Sequence, residues 1–346
     1  MIVKSLLLWL LSLVRALSWK AQWISRELSR SPRRSGHVAF SLENIPYIFG
    51  GYVEEEEDNS QQHRYATNDM WKWHNNQWQS VSSVEGDLPR ARLVATATVL
   101  YDQKKCYLLG GWDPGTAGTG GAILDTVHCY QDGKWSTLPV TMPDGPTSRH
   151  VAIAWNDQII VHNHRCQDYV WLFDPSSTFS FRQQATTGPC PSSRGLHVAT
   201  LLHQENHILL FGGAAQSGIM SNEAFLLNTV TWNWTALQAR GPTARAGACL
   251  VRLDQHTALL YGGAEATPSG LRPRGDLWLC HVDQDRWELL LDDDKESSPE
   301  HPPPRNAATL SLLEEDLETK TFVLTGGWHP FVKTYDDCFL LKLTKS

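Results

Sequence analysis

The stretch Ile48-Phe49-Gly50-Gly51 is a short apolar run that ends in a pair of glycines, and the chain repeats it. The repeats are Leu108-Leu109-Gly110-Gly111, Leu210-Phe211-Gly212-Gly213, Leu260-Tyr261-Gly262-Gly263 and Leu324-Thr325-Gly326-Gly327. Successive first glycines are 60, 102, 50 and 64 residues apart, so the step of 102 spans two periods. The missing member is Ile159-Ile160-Val161-His162-Asn163, which keeps the apolar run and has lost the glycines. The 346 residues therefore contain six repeats of about 50 residues.

Further landmarks accompany the glycine pair in each repeat. An arginine precedes the pair, and an aromatic-rich strand such as Asp69-Met70-Trp71-Lys72-Trp73 follows it. The arginines are Arg34, Arg92, Arg149, Arg194, Arg245 and Arg305. A large aromatic residue then marks a last strand, and these residues are Trp78, Trp135, Phe181, Trp234 and Trp287. Four short strands in each unit, separated by Gly and Pro turns, predict the blade of a β-propeller.

In these glycine-pair, arginine and tryptophan landmarks the chain resembles the kelch-repeat family over nearly its whole length. The expected fold is all-β, a six-bladed kelch β-propeller over residues 19–346. We expect blades at about 34–82, 92–139, 149–185, 194–238, 245–291 and 305–343. The last blade lacks a fourth strand, and Trp23 precedes Arg34 by eleven residues, as Trp234 precedes Arg245. Residues 19–25 are therefore predicted to complete blade six and close the ring.

The amino terminus has the pattern of a secretory signal peptide. Residues 1–18 combine Lys4, an apolar run from Leu6 to Val14 and the small-residue site Ala16-Leu17-Ser18. The run is too short to span a bilayer comfortably. We therefore expect the secretory pathway or secretion, with no membrane association after cleavage; a cytoplasmic location is the alternative.

Composition limits the classes of partner. The net charge of −7 and the lack of a basic tract argue against nucleic acid and anionic membranes. The seven cysteines show no paired spacing, so neither a disulfide framework nor a zinc site is predicted.

The topology of a propeller sorts the loops onto two faces. The loop before the first strand and the loop between strands two and three emerge on the same side, which we call the long-loop face. Its loops are expected at 52–68, 112–124, 264–275 and 328–335. Long variable loops on a rigid scaffold are where binding usually occurs. The acidic run Glu54–Asp58 within the first of them is expected to be solvated.

The six arginines share one repeat position, beside the central channel on the long-loop face. A ring of guanidinium groups focuses positive potential and matches a carboxylate bidentately, which predicts capture of an anionic group such as a peptide carboxylate. Alternatively, each arginine bonds carbonyl groups of neighbouring blades or an acidic side chain. Tyr52, Trp112 and Trp328 directly follow glycine pairs, where they either cover a ligand or pack under the loops.

The family resemblance sharpens this hypothesis. In this motif position the chain resembles the kelch substrate receptors of ubiquitin ligases that recognise C-terminal glycine degrons. Those receptors use arginines at this position on neighbouring blades. The resemblance implies ligand contacts by Arg194 and Arg245, with His197 close by. No BTB segment is found in the chain.

Signals for catalysis are lacking in the sequence. It contains no nucleophile elbow, phosphate loop or paired carboxylates, and His162 and His164 have no identifiable third metal ligand. We therefore expect a monomeric, non-enzymatic module that binds a protein or peptide without metal or cofactor. Two alternatives stay open: a secreted enzyme or lectin-like protein acting on an acidic sugar, and a ubiquitin-ligase substrate receptor if the protein is cytosolic.

Overall fold

The computed structural model describes residues 18–24, 30–56, 62–115, 120–176, 178–202, 206–293 and 300–345. The expected signal peptide lies outside these residues except for Ser18. Within the described residues no helix is long and apolar enough to cross a membrane. Strand β1 is Trp19–Ile24. The described strands form six sheets of four or five strands, the blades of a propeller, and three separate two-stranded ribbons in the loops.

The first three blades follow one another along the chain. Blade one contains β2 (Val38–Leu42), β3 (Ile45–Glu56), β4 (Gln62–His74) and β5 (Gln77–Ser80). Blade two contains β6 (Glu85–Gly86), β7 (Thr96–Leu100), β8 (Lys105–Leu109), β9 (Trp112–Asp113), β10 (Ala122–Ile123), β11 (Thr126–Gln131) and β12 (Lys134–Thr141). Blade three contains β13 (Val151–Trp155), β14 (Gln158–His162), β15 (Tyr169–Asp174) and β16 (Ser180–Ala185).

The last three blades repeat the arrangement. Blade four contains β17 (Val198–Leu202), β18 (His207–Phe211), β19 (Ala224–Asn228) and β20 (Asn233–Ala236). Blade five contains β21 (Cys249–Arg252), β22 (Thr257–Tyr261), β23 (Ala264–Thr267), β24 (Gly270–Pro273), β25 (Leu277–His281) and β26 (Arg286–Leu291). Blade six contains β27 (Thr309–Glu315), β28 (Thr319–Thr325), β29 (Trp328–His329), β30 (Lys333–Thr334) and β31 (Cys338–Lys345).

The two ends of the chain close the ring together. The sheet of blade six has the order β1-β31-β28-β27, so β1 is its outer strand. β1 runs antiparallel to β31, with Trp23 opposite Leu341. The Trp23 ring is buried and packs edge-on against Tyr261 of blade five, 5.2 Å between centroids. The predicted six-bladed β-propeller closed by an N-terminal strand is confirmed.

Hydrophobic clusters fill the interfaces between blades. Each of the six buried clusters joins two consecutive blades, including blades six and one. Tryptophans of the outer strands pack onto the end of the second strand in the preceding blade, as Trp135 does on Phe49 and Trp287 on Phe211. This repeated contact involves five of the fifteen tryptophans: Trp23, Trp78, Trp135, Trp234 and Trp287. The propeller is therefore a rigid base for the loops on its two faces.

The long loops are largely regular structure. β3 and β4 continue past the glycine pair as one hairpin, and β9–β10, β23–β24 and β29–β30 form short antiparallel ribbons. The expectation of a solvated acidic run is wrong for Glu54, which is 2% exposed. Its carboxylate pairs with Arg64 at 2.7 Å and accepts a hydrogen bond from the Trp328 indole at 2.8 Å. Glu54 thereby ties blade one to blade six.

Candidate functional site

Six residues, one from each blade, form a closed ring of backbone hydrogen bonds around the propeller axis. Each residue precedes the inner strand of its blade and has a φ between 48° and 66°. Each N–H donates to the carbonyl of the equivalent residue in the preceding blade, at 2.7–2.9 Å. The ring, called the hub ring below, comprises Gly36, Val94, Arg149, Leu196, Gly247 and Ala307. A positive φ is uncommon outside glycine, and here it turns each backbone toward its neighbour.

Five of the six predicted arginines lie inside the blades and do not face the channel mouth. Arg34, Arg92, Arg194, Arg245 and Arg305 are each 1–2% exposed. Each donates to the carbonyl of the first glycine of its own pair, at 2.7–3.1 Å. Four also pair with an acidic side chain of the same blade: Asp69, Glu223, Asp276 and Asp337. The expected ring of guanidinium groups open to a ligand is therefore wrong for these five arginines, because their terminal NH groups already contact partners within their own blades.

The first blade shows the strength of this arrangement. Both guanidinium NH groups of Arg34 donate to Asp69, at 3.0 and 2.8 Å. Burial by itself would raise the pKa of Asp69, but the hydrogen bonds and charge of Arg34 lower it to about 2. In blade two the described residues show no ion pair of Arg92 with an acid, and its second NH group faces His128 at 3.3 Å. Desolvation, helped by the charge of Arg92, lowers the pKa of His128 to about 4, which keeps the imidazole neutral.

The arginine and the glycine pair form one interlock between blades. The carbonyl of Arg92 accepts a hydrogen bond from the second glycine of the preceding blade, Gly51, at 2.8 Å. Gly50 leaves room for this contact, because a Cβ there would lie 2.7 Å from the same carbonyl oxygen. The side chain of Arg92 meanwhile holds the glycine pair of its own blade. The two landmarks therefore recur together for a structural reason.

Arg149 does not occupy the repeat position predicted for it. In blade three that position belongs to Thr147, which is fully buried and whose carbonyl accepts from Gly111 at 2.8 Å. Arg149 lies two residues later, in the hub ring, and its side chain is exposed. Among the described residues it forms no side-chain ion pair or hydrogen bond. A cavity of about 160 Å³ adjoins the hub ring, and Arg149 is its one charged lining residue apart from histidines.

A second arginine of blade three was missed in the sequence. Arg165 donates to the Thr147 hydroxyl at 3.0 Å and to the Pro146 carbonyl at 3.3 Å. It follows Asn163-His164, the pair that stands where other blades have two glycines. Tyr52 and Trp112 occupy the equivalent position in their blades. Alignment of Asn163-His164 with the glycine pairs would therefore have identified Arg165 as a candidate on the long-loop face. His164 beside it is exposed.

The predicted histidine is buried beneath the hub ring. His197 is 3% exposed, and its Nε2 lies 3.0 Å from Nδ1 of His162 in the preceding blade. Desolvation lowers the pKa of His162 to about 3 and that of His197 well below its usual range. His37 and His150 occupy the same repeat position and contact threonine hydroxyls of the preceding blade at 2.8 and 2.9 Å. These neutral rings join blades, and no cluster of three potential metal ligands exists among the described residues.

The three predicted aromatic residues are half-buried on the long-loop face. Their backbones pair with the residue after the blade's arginine, as Tyr52 does with Ser35 at 2.8 and 2.9 Å. The Trp112 indole lies against the backbone of Gly121. The Trp328 ring is fixed by Glu54 and packs edge-on against Phe331, which is 68% exposed, with centroids 5.2 Å apart. Both of the predicted roles, support of the loops and an accessible apolar surface, are thus compatible with their positions.

Comparison with known proteins identifies a family and several relatives to which this chain is similar. The model of the KLHDC2/KLHL20/DRC7 Kelch-repeats domain matches residues 161–346, just over half of the sequence. Kelch domain-containing protein 2 of Bos taurus is 24% identical over 296 residues, covering 76% of this chain and 70% of the relative. Kelch domain-containing protein 1 of Mus musculus is 23% identical over 293 residues, covering 74% and 68%. An F-box/kelch-repeat protein of Arabidopsis thaliana is 24% identical over 246 residues, covering 64% and 47%.

Proposed function

Because the chain belongs to the KLHDC2/KLHL20/DRC7 kelch-repeat domain family, we propose that it is a non-enzymatic module that binds a protein or peptide and holds a carboxylate of that ligand at Arg149. The observation that carries the proposal is the exposed Arg149 guanidinium beside the axis, which has no acidic partner among the described residues. The buried arginines are each committed to their own blade, so the ligand-facing charge falls to blade three.

The surroundings of Arg149 suit a small anionic group. The guanidinium of Arg165 is bonded to Thr147, two residues before Arg149, and among the described residues it pairs with no acid. The exposed His164 adds a third nitrogen-bearing side chain on the same blade. The adjoining cavity of about 160 Å³ has room for a terminal carboxylate but not for a folded segment. A planar guanidinium group, as on Arg149 and Arg165, matches the geometry of a carboxylate.

The residues near Arg149 leave room for its side chain and offer further surface to a ligand. Its side chain runs toward blade four across Gly195, where a Cβ would lie 3.2 Å from the Cβ of Arg149. Farther from the axis, Tyr52, Trp112 and Trp328 offer half-buried rings along the long-loop face. Such rings bind peptide side chains at little cost in conformational entropy. In this proposal the carboxylate sets the register and the aromatics contribute most of the contact area.

The proposal is tested with peptide arrays in two chemical forms. An array of peptides with free C-termini and the same array amidated are probed with the folded chain. We expect hits that lose at least about tenfold in affinity on amidation, because a charge-assisted hydrogen bond is removed. Arg149→Gln should lose the same hits, whereas Arg182→Gln, on the exposed outer strand of blade three, is the matched control. Binding that ignores both amidation and Arg149→Gln would refute the proposal.

The location of the protein is a separate part of the proposal. The pattern of residues 1–18 supports entry into the secretory pathway. Fractionation of a chain tagged at its C-terminus, with and without residues 1–17, tests this. Equal cytosolic recovery of both forms would contradict it.

A further inference from the structure

A second cavity lies on the axis at the face opposite the long loops. It has a volume of about 630 Å³ and is bordered by the inner strands of blades one to four, by turns of blades two and three, and by Arg252 of blade five. This size is in the range of sites for small molecules. This cavity is bordered by the inner strands and the turns that follow them, and it shares no lining residue with the cavity beside Arg149.

Small and hydroxyl-bearing residues form the wall of this cavity. The small side chains of Ala39, Ala97 and Ala152 leave the central channel wide at this point. Ser41 and Thr200 add hydroxyl groups to its wall. The rim of the cavity is fixed in place. The 3-10 turn Tyr101–Gln103 is held by a bond from the Tyr107 hydroxyl to Gln103 at 3.1 Å. The following Lys104 pairs with Glu43 of blade one at 2.8 Å.

Charges of opposite sign face each other across the rim. Asp102 and Asp157 stand on the neighbouring blades two and three, whereas Arg252 stands on blade five, which is diametrically opposite blade two. All three side chains are exposed, and among the described residues none has an ion pair or hydrogen bond.

From this arrangement we infer that the cavity binds a small zwitterion of dipeptide size. Its ammonium group lies between Asp102 and Asp157, and its carboxylate pairs with Arg252. A purely cationic ligand would meet the guanidinium, and a purely anionic one would meet two carboxylates, so both are disfavoured by like charge. The hydroxyl groups of the wall supply partners for the peptide group, and the alanines contact short side chains.

The experiment uses the dipeptide Ala-Ala, its N-acetyl form and its C-terminal amide, measured by calorimetry at low salt. The zwitterion should bind, and each blocked form should bind at least about tenfold more weakly, because one charged contact is lost. Asp157→Asn and Arg252→Gln should weaken the zwitterion by a similar factor. Asp132→Asn and Arg182→Gln, exposed changes outside the cavity, should not.

Three results would overturn the inference. In the first, Ala-Ala does not bind at about 10 mM, a concentration above the dissociation constant expected for a ligand of this size. In the second, the blocked forms bind as tightly as the zwitterion. In the third, Asp157→Asn and Arg252→Gln do not change the affinity. Arg149→Gln separates this site from the proposed peptide site. A dipeptide that loses binding only with Arg149→Gln sits on the long-loop face, which leaves the proposed function standing and removes the zwitterion site.

Discussion

Arg245 gives the sharpest test of the structural role of the buried arginines. Its side chain is 1% exposed and donates to Asp276 at 2.5 and 3.0 Å, to the Gly262 carbonyl at 3.1 Å and to Thr243. Arg245→Gln removes the charge and shortens the side chain, so Asp276 keeps a buried carboxylate without its main partner. Breaking a buried ion pair on one side costs about 3–5 kcal/mol.

The surroundings of Asp276 set where the cost falls in that range. Trp278 still donates to this carboxylate at 2.8 Å, and Arg274 stays 3.8 Å away. We therefore expect about 3 kcal/mol, the low end. An unfolding entropy of about 2.1 cal/mol/K per residue gives about 0.7 kcal/mol/K for this chain, so Tm should fall by about 4 °C.

Thermal unfolding followed by circular dichroism measures the effect. Arg149→Gln is the matched control, because the same substitution at an exposed arginine should shift Tm by less than about 1 °C. The double variant Arg245→Met/Asp276→Leu should recover part of the loss, since no unpaired charge is left behind. If Arg245→Gln unfolds no earlier than Arg149→Gln, the interlock contributes nothing measurable and our reading of the arginines is wrong.

Two more perturbations test the closure and the hub histidines. Removal of residues 1–17 should leave Tm unchanged, whereas removal of residues 1–24 should cost more than about 5 kcal/mol because the buried Trp19 and Trp23 are lost with β1; equal Tm values by calorimetry would contradict the shared blade. In the folded chain burial lowers the pKa of His37, His150 and His162 to about 3, whereas in the unfolded chain these histidines bind protons below about pH 6.5. The stability that they contribute is therefore complete above pH 6.5 and falls on acidification. At about pH 5.5 each histidine should cost about 1.4 kcal/mol, and His37→Gln/His150→Gln should show a shallower loss in urea unfolding than the wild type; a flat profile from pH 7.5 to 5.5 would exclude this.

The fold was predictable because each repeat carries the same local information. The glycine pairs mark positions where the next blade approaches too closely for a Cβ, and that requirement recurs with the blades. The contribution of β1 could be predicted because blade six was one strand short. The ribbons β9–β10, β23–β24 and β29–β30 were predicted as loops, since their few residues carry no alternation that distinguishes them from turns.

The site was harder to predict because burial depends on distant partners. Asp276 follows Arg245 by 31 residues, and nothing in the local sequence shows that the two carboxylate oxygens meet the guanidinium. Arg149 was misplaced since Gly-Pro-Thr-Ser-Arg at 145–149 resembles Gly-Pro-Thr-Ala-Arg at 241–245. The histidine three residues after the arginine, as in His37 and His197, would have assigned His150 to that place and Thr147 to the arginine position.

The hub ring also bears on whether the two proposed sites can be occupied at the same time. Arg149 lies in this ring, whereas Asp102 and Arg252 lie at the far ends of the inner strands, so the two proposed sites use different residues. If both proposed sites are occupied, two ligands bind at opposite ends of the inner strands of one propeller. The propeller would then hold the two ligands at a fixed separation set by the height of the blades.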